Sequence, residues 1–258
     1  MAGRESHLVP AVIVGLVSTF DEGQLAADAV RSLLSCCQTV RVLDGPIGDV
    51  ESSGFATDWK PLLKTQRVIV NRGKWETDAA KRTELIQSLR RFTGPVWAII
   101  LDGDELLLHG EQVPSWINYF EAEASFRSLE PLRCPIRLVD GDGTTSVMTG
   151  RILRADLVER YITSSYHILL RNGTEVALGN GRLRSYDEPD SGQRDTTTGL
   201  QLRRPLQGEP SILHRSHLRP PQRQAQRQSV AEKSDWETLA QGIGGEVQDT
   251  RVPIWLPS

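Results

Sequence analysis

The stretch Val96-Trp97-Ala98-Ile99-Ile100-Leu101 runs without a break into Asp102-Gly103-Asp104-Glu105. Six consecutive apolar residues are what a strand covered on both faces requires, and they end in three carboxylates within four positions. Carboxylates repel one another and resist desolvation, so gathering them at the end of a core strand calls for a compensating cation. A hard divalent ion with oxygen ligands, Mg²⁺ or Mn²⁺, is one such partner, and ions of this kind also hold phosphate groups. In open α/β folds the carboxyl ends of the strands are where ligands bind. The plainer reading is a strand followed by an acidic turn in which Gly103 supplies backbone freedom.

The flanking sequence supports the α/β reading. Ala11 to Val17 is a second near-continuous apolar run, followed by Asp21 and, three residues on, Gln24, in the pattern of a capping box. Leu25, Ala29, Val30 and Leu33 then recur at helical spacing. Thr39 to Leu43 reads as a strand stopped by Asp44-Gly45-Pro46, Gly45 to Lys64 as a long surface connection, and Val68 to Val70 as a third strand. Thr77 to Arg91 reads as a helix that Gly94-Pro95 closes. This β-α-β-β-α-β order favours a parallel sheet with right-handed crossovers.

The second half changes character. Gln112 to Phe126 reads as a helix, and Leu132–Val139 with Thr145–Leu153 as a hairpin turning at Asp140-Gly141-Asp142-Gly143. Tyr166–Leu170 and Thr174–Leu178 form another hairpin around Asn172-Gly173. Pro220-Pro221 opens a helix to about Leu239, on which Arg219, Arg223 and Arg227 share a face. That stripe fits a solvated surface, a diphosphate contact or an anionic acceptor such as DNA, although no aromatic residues interleave it for base stacking.

Composition removes some classes. The net charge of −3 gives no overall attraction to nucleic acid or membrane. No apolar run reaches the roughly 18–20 residues a bilayer requires. The polar start through Pro10, with Glu5, does not read as a secretory leader, and three cysteines form neither a disulfide framework nor a zinc pattern. A cytoplasmic location is expected.

Three acidic groups fall at the ends of successive expected strands: Phe20-Asp21-Glu22, Asp44-Gly45 and Asp102-Gly103-Asp104-Glu105, with Lys81-Arg82 on the helix before the last. In order and spacing this set resembles glycosyltransferase family 2, well over residues 10–110 and more loosely to 220. The resemblance implies a GT-A-like, Rossmann-type open sheet with helices on both faces. Residues 1–110 would form its nucleotide-sugar half, 111–218 its acceptor-side half, and 219–258 a C-terminal helix and tail.

It further implies transfer of a sugar, with inversion, from a nucleotide diphosphate sugar to a hydroxyl acceptor: a saccharide, a small molecule or a hydroxylated DNA base exposed from its duplex. Asp21, Asp44, Arg82 and Asp102 would bind the donor. Asp104 would hold Mn²⁺ or Mg²⁺, with His214 or His217 from the late Ser211–His217 segment as a further ligand. The base that deprotonates the acceptor would be an acid of the second half, Asp187 ahead of Glu188, Asp140 and Asp142. Two other classes compete. A nucleotidyltransferase or sugar-nucleotide pyrophosphorylase would carry a glycine-rich loop where this chain has Ser18 to Gly23. A non-enzymatic nucleic-acid-binding protein would use the arginine helix.

Overall fold

A computed structural model describes residues 11–126, 129–141, 143, 145–163, 167–178, 180–182, 209–219 and 255–257. Its first half comprises β1 (Val12–Thr19), α1 (Gln24–Leu33), β2 (Thr39–Asp44), the short α2 (Lys60–Leu63), β3 (Val68–Arg72), α3 (Asp78–Gln87), β4 (Val96–Asp102) and β5 (Glu105–Leu108). Then come α4 (Val113–Phe126), β6 (Leu129–Pro131), β7 (Arg133–Val139), β8 (Thr145–Arg154), β9 (Val158–Thr163), β10 (His167–Leu170), β11 (Glu175–Ala177), β12 (Asn180–Arg182), β13 (Ser211–His214) and β14 (Trp255–Pro257).

The main sheet runs β3-β2-β1-β4-β8-β7-β13-β5, with β12 paired to β8. The first four strands are all parallel, in the 3-2-1-4 order of a Rossmann half. From β4 onward the sheet turns mixed: β8 joins β4 and β7 antiparallel, and β13 lies parallel to β7 and antiparallel to β5. The expected α/β class, with a Rossmann-type open sheet, is therefore the observed one. β9, β10 and β11 form a separate antiparallel sheet, with the Asn172-Gly173 turn between β10 and β11 as expected and Gly173 at φ +85°.

Strand alternation divides the core into two layers. Trp97, Ile99 and Leu101 of β4 face one side, where they join Ala29, Val30 and Leu33 of α1 and Ile117 and Phe120 of α4. Val96, Ala98 and Ile100 face the other, against Leu85, Ile86 and Leu89 and the second sheet's Tyr161, Ile168 and Val176. Burial on both sides explains the unbroken apolar runs of β1 and β4.

Three local expectations change. The capping box does not form: Gly23 caps α1 without a side-chain bond, and Asp21, left-handed at φ 53°, turns its carboxylate elsewhere. Glu105–Leu108 is a strand, not merely an acidic turn, because its paired edge faces β13. The connection from Gly45 to Lys64 contains α2 and buries Thr57 and Trp59. The Arg223–Arg227 part of the basic stripe lies outside the described residues. No helix among the described residues is long and apolar enough to cross a membrane.

The strand tips approach tightly. A Cβ on Gly45, just beyond β2, would lie 1.8 Å from the backbone oxygen of Gly73, which follows β3. Backbone cannot rotate away as a side chain can, so Gly45→Ala is expected to cost about 3 kcal/mol, the upper end of ordinary overpacking. Urea denaturation would report this as a lower midpoint at unchanged m-value.

Candidate functional site at the strand tips

Because β2, β1 and β4 are adjacent and parallel, their carboxyl ends share one edge: Thr19 is in register with Asp44, and Ser18 with Asp102. The three acidic segments read from the sequence therefore converge. The chain leaves each strand tied to its neighbour, with Gly45 N donating to Thr19 O at 3.0 Å and Gly103 N to Ser18 O at 3.0 Å. A Cβ on Gly103 would lie 2.3 Å from Thr19 Oγ1, so only glycine permits this approach.

The cationic compensation that the acids demand comes in this structure from side chains. Asp102 accepts from Arg82 Nη2 at 2.7 Å and Arg151 Nη2 at 3.1 Å. Glu105 accepts from Arg151 Nη2 at 2.5 Å and, through its other oxygen, from Asp102 N at 2.8 Å. Burial pushes the Glu105 carboxyl up to about 7 against the opposing pull of Arg151. Burial also works against the Arg82 cation, yet Asp102 and Asp78 outweigh it and hold Arg82 well above its ordinary value. Arg82 Nε is given to Asp78 at 2.7 Å. The guanidinium expected at a donor phosphate is thus spent on two carboxylates.

Asp104 is fully buried. One oxygen meets Arg219 Nη2 and the other lies 3.1 Å from His214 Nε2. The far nitrogen of that imidazole, Nδ1, is 2.9 Å from Asp140 Oδ1. The hydrogen bond to Asp104 raises His214 to about 9, overcoming its partial burial. Arg219 also donates from Nε to Glu22 Oε2 at 3.0 Å, which makes it a buried counter-charge and not part of a solvated stripe. Of the two late histidines, His214 is the one brought to Asp104. His217 packs over Gly141, where a Cβ would come within 2.1 Å of its Nδ1.

Other expected donor contacts are engaged within the chain. Asp44 Oδ2 accepts from Trp59 Nε1 at 2.8 Å and has Arg72 Nε at 3.8 Å. Asp21 Oδ2 accepts from Ser52 Oγ at 2.8 Å and from Ser53 N. Together with Thr57 Oγ1 bonded to Gly23 O at 3.1 Å, these contacts staple the connection after β2 across the tips of β1 and β2. The cavity left beneath, lined by Thr19, Gly45, Lys81 and Gly103 among others, measures about 60 Å³. Drug-sized ligands occupy roughly 300–1,000 Å³, so this cavity is smaller than such a site. Asp187, Glu188 and Asp142 lie outside the described residues.

Sequence reasoning missed Lys81 as an organising group. It is buried, and its Nζ donates to Thr19 O at 2.8 Å and Gly45 O at 2.7 Å, tying the ends of β1 and β2 together. Its ammonium lies 4.9 Å from the Trp75 ring centre, a cation–π contact. Burial lowers it to about 8. The available signal was spacing: Lys81 and Arg82 lie on the same helical face as Leu85 and Ile86, and all four are buried.

No family model matches this sequence, and no curated protein matches it either. Among solved structures, S. aureus TarS residues 1–349 align at 13% identity and a TM-score of 0.32, covering 50% of this chain and 35% of that one. The same TarS fragment in complex with UDP-GlcNAc aligns at 12% identity and a TM-score of 0.30, covering 50% and 34%. The longer TarS structure gives 13% and 0.30, covering 50% and 21%, so this chain spans about a third or less of each of these structures.

Proposed function

We propose that this chain binds a nucleotide diphosphate sugar across the tips of β1, β2 and β4 and transfers the sugar to a hydroxyl acceptor. The observation that carries this reading is the line Asp140–His214–Asp104 at the carboxyl edge of a Rossmann-type sheet. A carboxylate behind a histidine fixes its tautomer and ring direction, as behind metal-bound imidazoles, and here leaves Nε2 aimed at a buried carboxylate. Nε2 and Asp104 Oδ2 lie 3.1 Å apart, a separation that two adjacent ligands of one divalent ion would show.

The donor set fits such an ion as two protein ligands, Asp104 and His214, with water and donor oxygens completing it. Among the described residues there is no group of three or more His, Cys, Asp or Glu side chains able to hold a metal. An oxygen–imidazole pair suits Mn²⁺ better than Mg²⁺. When bound, the ion would neutralise charge developing on the departing diphosphate.

The chain's own residues do the rest. Asp44, with Oδ2 fixed by Trp59, turns Oδ1 to a base N–H or a ribose hydroxyl. Asp102 holds Arg82 and Arg151 in place, so the floor of the site is a fixed network of paired charges that need not reorganise when a ligand binds. Asp21 acts as the latch on the connection after β2. In the reaction the acceptor oxygen bonds to the anomeric carbon as the bond from that carbon to the diphosphate breaks. The hydroxyl proton passes to a carboxylate, for which Asp187 is proposed, and the configuration at the anomeric carbon inverts.

A thermal-shift screen of UDP, GDP and their sugars, with and without Mn²⁺, tests the reading. A ligand at a hundred times its Kd adds about 2.7 kcal/mol to apparent stability. The expected result is a shift that requires nucleotide and Mn²⁺ together and disappears in His214→Ala. A shift indifferent to Mn²⁺ and to His214→Ala overturns the assignment.

A further inference from the structure

A second cavity, about 370 Å³, lies at the opposite end of the sheet. It opens beside Gly94 and Pro95, where the chain enters β4, so the full length of that strand, about 20 Å, separates it from Asp102. Its volume falls within the range of small-molecule sites, and its walls combine two chemistries. Leu89, Phe92 and Pro95 give an apolar side; Arg90, Arg154 and Arg171 give a cationic one.

The charges do not cancel. Arg154 forks onto Asp156, with Nε to Oδ1 at 2.9 Å and Nη2 to Oδ2 at 2.8 Å, while Asp156 Oδ1 also accepts from Val96 N at 3.0 Å. That carboxylate is fully engaged within the fold. Arg90 Nη2 pairs with Glu159 at 2.5 Å. Arg171 projects from the turn between β10 and β11, its backbone fixed by a 3.0 Å bond from its N to Leu157 O. Among the described residues its guanidinium has no ion-pair partner. One positive charge is therefore left over at the rim of a half-apolar depression.

We propose that this cavity is a binding site for a small organic anion: a single carboxylate or phosphate attached to an apolar body. The guanidinium of Arg171 offers parallel N–H groups that match either headgroup. The body would lie on Leu89, Phe92 and Pro95, and its burial there distinguishes this ligand from a bare inorganic ion. The site depends on no feature of the strand tips, and its occupancy is separate from the proposed sugar transfer.

Calorimetric titration of the full chain with phenyl phosphate, benzoate and inorganic phosphate tests it, the first two telling the headgroups apart. Saturable one-to-one binding of phenyl phosphate or benzoate is expected, about tenfold tighter than inorganic phosphate, which is about 1.4 kcal/mol. Arg171→Glu, on an exposed turn where folding is not at stake, should weaken it by at least about tenfold, and UDP with Mn²⁺ should not compete. Absence of saturable binding, equal affinity for inorganic phosphate, indifference to Arg171→Glu, or competition by UDP with Mn²⁺ overturns the proposal.

Discussion

Replacing Asp104 by alanine is expected to lower the free energy of unfolding by about 3–5 kcal/mol, the cost of removing one member of a buried ion pair. Asp104 has no solvent exposure, and its two oxygens face Arg219 and His214. Without it Arg219, buried, and His214, partly buried, lose the carboxylate between them, while Arg219 keeps its pairing with Glu22. Chemical denaturation of the wild type, Asp104→Ala and Asp104→Asn measures the effect. Asparagine keeps the shape and loses the charge, so it should recover part of the loss and none of the Mn²⁺-dependent shift. A cost below about 1 kcal/mol for the alanine variant would place this carboxylate among weakly coupled surface pairs and contradict its role as the centre of the tip.

Lys81→Met should produce the second large effect, and it is a pH dependence. Burial lowers Lys81 to about 8 from 10.5. Between those values the unfolded chain carries the proton and the folded chain has released it, so unfolding takes up protons and stability rises with pH. The contribution is complete above about 10.5 and is lost as pH falls through about 8; at 1.36 kcal/mol per unit it amounts to about 3 kcal/mol. Methionine fills similar space and has no such term, but it leaves Thr19 O and Gly45 O without their donor. The stability gap between wild type and variant should therefore widen as pH rises from 8 to 10.5. Parallel curves across that interval would show that the ammonium is not desolvated as the geometry implies.

The parallel half of the fold was legible because its strands are buried on both faces and write themselves as unbroken apolar runs. The convergence of Asp44 and Asp102 followed once those strands were taken as parallel neighbours. What could not be read was the partner of each acid. Arg151 and Arg219 reach the tip from β8 and from just beyond β13, 46 residues after Glu105 and 197 after Glu22 along the chain. Pairings of that separation are set by the order of strands in a mixed sheet, which local periodicity does not encode. Asp21 misled for a different reason. A capping box is a four-residue pattern, and here the left-handed backbone at Asp21 aims the carboxylate at Ser52 and Ser53 instead. His214 was legible as a residue type, but its orientation depends on Asp140, a turn residue whose role only the folded hairpin reveals.

The place of β13 carries a consequence for biosynthesis. Residues 211–214 fill the gap between β7 and β5, and Arg219 follows directly to cover Asp104. A nascent chain emerging from the ribosome has therefore laid down β1 to β4 long before the piece that covers Asp104 exists. Contacts of such long sequence separation form late and slowly. Until residue 219 is released, the β5 edge stays unpaired and Asp104 faces water, so that interval is when the chain is most exposed to chaperones, proteases and self-association.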